Sequence, residues 1–392
     1  MDYRRLFSES AAALKPSGIR KFFSLAAEMK DVISLGVGEP DYKTPWIIRK
    51  AGIDSLDRGN TWYTANAGLS ALQVEITRYL SRRFSLVYEP SQVLVTVGGS
   101  EAIDLTIRAF VNPGDEVLLP EPCFVAYSAI VQLCGGVPVP IVTKEEDEFR
   151  LTPQALKAAI TEKSKLLIFP FPNNPTGGVM RREHLLEIEA ALKGTDIMLL
   201  SDEIYAELTY GGEKHVSIAS ISDDMKARTI VVNGFSKAYA MTGWRLGYCV
   251  APAPVMDVLF KIHQYAIMCA PTTSQYAAIE ALKHCDREIG DMAADYDRRR
   301  RLIVAGLNDI GLRCFSPGGA FYVFPSIRST GMGSLEFCEK LLESKRVAVV
   351  PGDAFGACGE GFVRICYAYS TEHIIEALSR IGEFVREIKK RA

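Results

Sequence analysis

Short apolar runs alternate with helix-like stretches through the middle of this 392-residue chain. Runs typical of buried strands are QVLVTV at 92–97, EVLLP at 116–120, VPVPIV at 137–142, KLLIFPFP at 165–172 and TIVV at 229–232. Strands that alternate with helices predict an α/β fold with a mostly parallel sheet and helices on both of its faces. After Ala251 several helical patterns are followed by short strands, which indicates a smaller α+β domain.

The length of the chain is sufficient for both parts. We expect a large domain over residues 46–275 and a small C-terminal domain over residues 276–392. The N-terminal segment 1–45 is expected to pack with the small domain.

Composition and charge exclude several classes of protein. With 48% hydrophobic and 23% charged residues, the chain is typical of soluble globular proteins, and its net charge of −2 gives no basic field for nucleic acid. It has neither an apolar run long enough for a bilayer nor a hydrophobic signal region at its N-terminus. Nine scattered cysteines without a C-x-x-C pair favour free thiols in a cytoplasmic protein. Five histidines without an H-x-x-x-H pattern predict no metal site.

One lysine lies in a segment that is otherwise small and aromatic. Lys237 belongs to NGFSKAYAMTGWRLGY at 233–248, which follows the strand at 229–232. A buried lysine is unfavourable unless it is neutral, paired or used covalently, and a neutral amine is a nucleophile toward carbonyls. The planar guanidinium of Arg245 could hold a phosphate. Pyridoxal phosphate (PLP) carries both an aldehyde and a phosphate, although a surface lysine and arginine on a loop are commoner for such a pair.

A second candidate phosphate site follows the strand at 92–97. The sequence GGSEAIDLTIRAF predicts a glycine turn that opens a helix, and a helix N-terminus binds anions. A nucleotide P-loop is excluded because no Lys-Ser/Thr follows, and the prolines after Gly36 and Gly38 exclude a dinucleotide-binding fingerprint. An ordinary strand-to-helix turn is the alternative interpretation.

Two charged residues lie in apolar strand patterns. Asp202 lies within DIMLLSDEIYAEL at 196–208, where a carboxylate needs a cationic partner such as a pyridinium nitrogen, unless it only caps a turn. Arg364 lies within FVRICYA at 362–368 and needs an anion, either a protein carboxylate or a ligand.

The segment around Lys237 resembles the S-x-S-K and G-W-R motif of the fold type I PLP-dependent aminotransferases of class I/II, the aspartate aminotransferase family. The resemblance covers nearly the whole chain, because other motifs follow in the family's order: G-x-G-E-P-D, Y-x-x-x-x-G, GGSEA, N-P-T-G, D-E-I-Y and a late arginine. The match departs at Gly234, where many members have a serine that contacts the phosphate.

This resemblance implies the fold type I architecture, PLP as cofactor and three catalytic residues. Lys237 would form the Schiff base with PLP and later move the substrate proton. Asp202 would keep the ring nitrogen protonated, and Tyr205 would share the ring hydroxyl with Asn174.

Further binding residues are implied by the same resemblance. Gly99, Ser100 and Glu101 would contact the phosphate through their backbone, with Ser236 and Arg245 also at the cofactor, and Phe124 would stack on the ring. Tyr63 would reach the phosphate of the neighbouring subunit, which implies a homodimer with shared active sites. The substrate carboxylate would be bound by the backbone of Gly38 and by Asn174 and Arg364.

The implied activity is ping-pong transfer of an amino group from an L-amino acid to a 2-oxo acid. The sequence leaves the donor open among aspartate, aromatic and related amino acids. A PLP-dependent C–S lyase or another carbanion chemistry on the same scaffold is the alternative. A regulator with a fused DNA-binding domain is disfavoured, since the first motif begins at Gly36 and leaves no room for that domain.

Overall fold

The computed structural model describes residues 1, 3–14, 29 and 31–391. The sequence from Tyr3 to Lys30 predicts two helical stretches that are divided at Pro16-Ser17-Gly18. A 3₁₀ turn at Tyr3–Arg5 and helix α1 at Glu9–Ala13 form the first part. The division and the second helix lie outside the described residues.

The strands match most of the apolar runs. They are β1 (Ile33–Ser34), β2 (Val93–Thr96), β3 (Glu116–Glu121), β4 (Val137–Val142), β5 (Ser164–Phe169), β6 (Met198–Asp202), β7 (Thr229–Gly234), β8 (Gly247–Val250), β9 (Tyr322–Val323), β10 (Val347–Ala348), β11 (Val350–Pro351) and β12 (Val363–Cys366).

The remaining α-helices lie between and after these strands. They are α2 (Trp46–Asp57), α3 (Ser70–Phe84), α4 (Gly98–Phe110), α5 (Ala126–Leu133), α6 (Pro153–Ala159), α7 (Arg182–Leu192), α8 (Asp223–Arg228), α9 (Ala253–Ala266), α10 (Thr272–His284), α11 (Asp286–Ile310), α12 (Ser334–Lys345) and α13 (Thr371–Arg391). None of the described helices is both long and apolar enough to cross a bilayer.

Seven strands form the central sheet in the order β2-β8-β7-β6-β5-β3-β4. Only β8 is antiparallel to its neighbours, so the prediction of a mostly parallel sheet is confirmed. Helices connect the parallel strands because such crossovers cannot be made by tight turns. The carboxyl ends of β5, β6 and β7 therefore meet along one edge of the sheet.

Both faces of this sheet are buried, since successive side chains of a strand point to opposite faces. In β5, Leu166 and Ile168 pack in one hydrophobic cluster with α4, whereas Leu167 and Phe169 pack in another with α7. This explains why the strand sequences are continuously apolar rather than alternating.

The C-terminal part has its own small sheets and its own core. Strands β11, β12 and β9 form an antiparallel sheet, and β1 pairs in parallel with β10. The N-terminal strand thus adds to the C-terminal part of the chain, although the domain boundaries themselves stay a prediction.

Three strands are shorter than the segments in which the sequence predicts them, namely DIMLLSDEIYAEL at 196–208, the turn and strand PGGAFYVFP at 317–325 and VAVVPG at 347–352. The run at 196–208 ends as a strand at Asp202, because its Oδ1 accepts a hydrogen bond from the Ile204 amide at 3.2 Å and turns the chain. The run at 347–352 is divided at Val349, where the chain changes its partner from β1 to β12. Of the run at 317–325 only β9 is a strand. The helix α7 was not predicted.

Candidate active site

A cavity of about 540 Å³ lies at the carboxyl ends of the parallel strands. The following predicted residues line it: Gly38, Gly99, Ser100, Phe124, Asn174, Asp202, Tyr205, Ser236, Lys237, Arg245 and Arg364. They come from segments that are far apart in sequence. The crossovers of the sheet bring them together, because ligand sites in such sheets form where the strands end.

Lys237 follows the end of β7, and its side chain enters the cavity. Its Nζ donates a hydrogen bond to the Gly38 carbonyl at 2.7 Å, and it lies 5.8 Å from the centre of the Tyr205 ring. Burial lowers the pKa of this amine to about 8, and the neighbouring cations Arg364 and Arg245 add to that effect. About a tenth of the amine is therefore neutral at pH 7, far more than for an ordinary lysine.

Asp202 ends β6 and is only 6% exposed. Its Oδ2 accepts a hydrogen bond from the Tyr127 hydroxyl at 2.7 Å. Burial raises the pKa of this carboxyl despite the hydrogen bonds from Tyr127 and the Ile204 amide. Among the described residues no cation forms an ion pair with it, so a cationic group bound in the cavity would be stabilised here.

Arg364 lies in β12 and is 7% exposed. Its Nη1 donates to Asn174 Oδ1 at 2.8 Å and its Nη2 donates to the Gly36 carbonyl. The guanidinium carbon lies 4.6 Å from the centre of the Tyr322 ring and 4.8 Å from that of Phe355. In the described part of the chain no carboxylate pairs with Arg364, which leaves its charge available to an anion in the cavity.

The opposite end of the cavity is suited to a second anion. Gly99 and Ser100 lie in the first turn of α4, and among the described residues no side chain accepts a hydrogen bond from the amides of Gly98, Gly99 or Ser100. Arg245 lies beside this turn, since a Cβ atom built on Gly98 would be 2.7 Å from its Nη2. The glycines thus begin the helix itself rather than a separate turn before it, and they leave room for the guanidinium.

Two glycines are required by close packing. A Cβ on Gly38 would lie 2.0 Å from the Tyr322 hydroxyl oxygen, so any side chain there would displace Tyr322. Gly234 is the position that departs from the family motif. A Cβ there would lie 3.0 Å from Gly247 Cα and 3.1 Å from the Leu246 carbonyl, so this backbone leaves little room for a serine.

Two predicted residues do not line the cavity. The Glu101 side chain points away and contacts His263, with 2.6 Å between Oε1 and Nδ1. Tyr63 is 75% exposed on the loop before α3. Its predicted contact is with a neighbouring subunit, so its role stays a prediction.

Sequence reasoning missed two tyrosines that orient the predicted residues. Tyr127 follows Phe124 by one helical turn in EPCFVAY, and that spacing was the available signal. Tyr322 lines the cavity and its hydroxyl lies 2.8 Å from that of Tyr205. Its apolar surroundings in PGGAFYVFP gave no signal, because the contact depends on how the small sheet meets the large one.

Comparison with known proteins gives concordant matches. The family model for aminotransferase class I and II matches residues 30–381. A putative aminotransferase of Bacillus subtilis, YugH, is 54% identical over 97% of this chain and 98% of its own length. Aspartate aminotransferase of Pyrococcus abyssi is 45% identical, over 97% and 99% respectively. The crystal structure of an aromatic aminotransferase from Pyrococcus horikoshii superimposes with a TM-score of 0.89 at 43% identity, covering 95% of this chain and 100% of the other.

Proposed function

Since this chain belongs to the aminotransferase class I and II family, we propose that its cavity binds PLP and an amino acid at the residues described above. Membership confirms the predicted family, its fold type I architecture and aminotransferase activity. Our proposal goes beyond membership in four respects: the identity of the cofactor, the roles of the site residues, the amino donor and the dimer.

The residues of the cavity fit PLP in three respects. Lys237 is a buried amine with a lowered pKa, Asp202 is a buried carboxyl that forms no ion pair with any described residue, and the first turn of α4 with Arg245 offers an anion site. When bound, PLP supplies an aldehyde for amines and a protonated ring that takes up the electrons of the substrate Cα–H bond. The buried Asp202 is the single observation that carries the assignment, because a cation bound in the cavity would stabilise its charged form against the cost of burial.

Each residue has a defined task in this proposal. Lys237 Nζ would hold the cofactor covalently, and as a free amine it would take the proton from the substrate Cα and deliver it to the carbon of the cofactor's aldehyde group. Asp202 holds a proton on the ring nitrogen, and Tyr127 orients Asp202 through its hydroxyl. Tyr205 and Asn174 are proposed to bind the ring hydroxyl.

Arg364 binds the substrate carboxylate through its planar fork. Its contacts with Asn174 and Gly36 and the rings of Tyr322 and Phe355 fix the guanidinium plane before substrate arrives. Preorganisation of this kind places the substrate amine at a defined position relative to Lys237.

We propose a homodimer with Tyr63 at the partner's cofactor. Several large apolar side chains are exposed, namely Trp46, Trp62 and Tyr63 in the N-terminal part of the large domain and Tyr265 at the end of α9. Exposure of several such residues is typical of a surface that is covered in the assembly. The amino donor is proposed to be aspartate or an aromatic amino acid, because relatives of similar identity have these two names.

The test is replacement of Lys237 by alanine. Wild-type protein with PLP is expected to show the absorption of a bound imine, to retain the cofactor after borohydride reduction and to transfer amino groups. K237A is expected to lose reducible attachment and transamination while it still binds PLP non-covalently at the anion site. A borohydride-stable adduct in K237A would assign the covalent role to another lysine.

The same preparation identifies the donor. A panel of L-amino acids is assayed with 2-oxoglutarate and with pyruvate as acceptors, and kcat/KM is compared. Release of pyruvate and ammonia without an acceptor would indicate lyase chemistry instead.

A further inference from the structure

A fully buried histidine connects the α4 turn to the loop that carries Tyr63. His263 lies in α9 and is 0% exposed. Its Nδ1 is 2.6 Å from Glu101 Oε1, and its Nε2 is 2.9 Å from the carbonyl oxygen of Asn66. The other carboxylate oxygen of Glu101 accepts a hydrogen bond from the Val97 amide.

The hydrogen-bond partners determine the charge of this pair. A carbonyl oxygen can only accept, so Nε2 of His263 must carry a proton. A second proton must lie between Nδ1 and the Glu101 carboxylate, because both atoms would otherwise be acceptors at 2.6 Å. Whichever of the two groups holds that proton, the pair has no net charge.

The charge matters because of where Glu101 lies. It is in the first turn of α4, next to Gly99 and Ser100, at the end of the cavity that suits an anion. A carboxylate without its counter-ion would repel an anion bound to this turn, and little solvent is present to screen it. We infer that His263 is a positioning residue that neutralises Glu101 and so keeps the turn attractive to the cofactor phosphate; this inference rests on the proposed function.

The second hydrogen bond of His263 is separable from the charge effect. The loop before α3 has other anchors: Gln275 donates to Thr64 and accepts from the Leu69 amide, Thr272 donates to the Trp62 carbonyl, and the Val95 amide donates to the Ala67 carbonyl. Loss of the Asn66 contact alone leaves these anchors in place. A variant at His263 therefore tests mainly the neutralisation of Glu101.

The experiment compares wild type, H263Q, E101Q and the double variant as apoproteins. The dissociation constants of PLP and of pyridoxal, which has no phosphate, are measured for each by absorbance titration. The ratio of the two constants isolates the contribution of the phosphate. The matched control is H284Q, which removes an exposed histidine at the end of α10 that is paired with Glu280 at 3.4 Å. No residue of α10 lines the cavity.

In H263Q, PLP is expected to bind about tenfold more weakly or worse while pyridoxal binding changes little, which is the order of one uncompensated charge near an anion. In E101Q/H263Q, where neither group is charged, the ratio should return to within about threefold of wild type. E101Q alone should equal or exceed wild type in its preference for PLP. H284Q should behave as wild type.

A purely structural role for His263 predicts a different pattern. PLP and pyridoxal would then weaken together in H263Q, and the double variant would be as weak as H263Q or weaker; either result overturns the inference. If H263Q does not fold, the E101Q variant tests the inference, because a loss of its preference for PLP over pyridoxal would also overturn the inference. Failure of wild-type protein to bind PLP at all would instead refute the proposed function.

Discussion

Replacement of Tyr127 by phenylalanine tests whether the environment of Asp202 controls the chemistry. The hydroxyl of Tyr127 donates to Asp202 Oδ2 at 2.7 Å, and the only other hydrogen bond to that carboxylate from the described residues comes from the Ile204 amide. The change removes a single oxygen atom and leaves the ring in place. Tyr127 is 2% exposed, so water does not readily replace the lost donor.

The size of the effect follows from the strength of that bond. A hydrogen bond to a charged group contributes about 1.5–3 kcal/mol, which corresponds to about one or two pKa units. Its loss raises further the pKa of Asp202, which burial has already raised. A more basic carboxyl takes the proton away from the cofactor ring, so the ring accepts the substrate electrons less well. We expect kcat to fall about 10- to 100-fold.

The assay measures kcat and KM for donor and acceptor together with the pH dependence of the bound cofactor's absorption. KM should change little, because Tyr127 does not contact the proposed carboxylate-binding group Arg364, whereas the titration of the chromophore should shift. The control is Y248F, which deletes another buried hydroxyl, one without a hydrogen-bond partner among the described residues. Unchanged kcat in Y127F with cofactor bound would refute the reasoning, as would an equal loss in Y248F.

Two further outcomes follow from the charged groups of the cavity. Because burial lowers the pKa of Lys237 from 10.5 to about 8, covalent uptake of PLP by the apoprotein should accelerate with pH up to about 8 and then level off; acceleration that continues to pH 10 would contradict the assignment. The free energy of unfolding should also increase as pH rises from about 8 to 10.5, because the folded state binds the Lys237 proton less tightly than the unfolded chain does. In R364K the single ammonium replaces a guanidinium that contacts Asn174 and the Gly36 carbonyl, so KM for the amino acid and for the oxo acid should each rise about 10- to 100-fold. A variant in which only one of the two KM values changes would show that Arg364 does not bind the carboxylate that both substrates share.

The order of strands and helices could be read from the sequence because it depends on local patterns. Continuous apolar runs such as the one at 165–172 identify strands that are buried on both faces. The need of Lys237, Asp202 and Arg364 for partners could also be anticipated, because a charged residue in apolar surroundings needs a partner wherever it folds. These residues were found without knowledge of their distances from each other.

The contacts that orient those residues depended on the tertiary structure. The hydroxyl of Tyr127 reaches Asp202 across 75 residues, and the Tyr322 hydroxyl meets that of Tyr205 across 117. The spacing from Phe124 was the one sequence signal for Tyr127, and Tyr322 had none. Glu101 was expected at the phosphate through its backbone, but its side chain faces His263, a residue 162 positions away.

Sequence alone therefore determined most of the elements and which charges need partners, because helix and strand periodicity and the cost of burying charge act within short stretches. Tertiary structure decided which partner each charge receives. That choice depends on how the crossovers place β5, β6 and β7 and on how the small sheet brings β12 to the same cavity, and packing between distant segments leaves no local pattern to read.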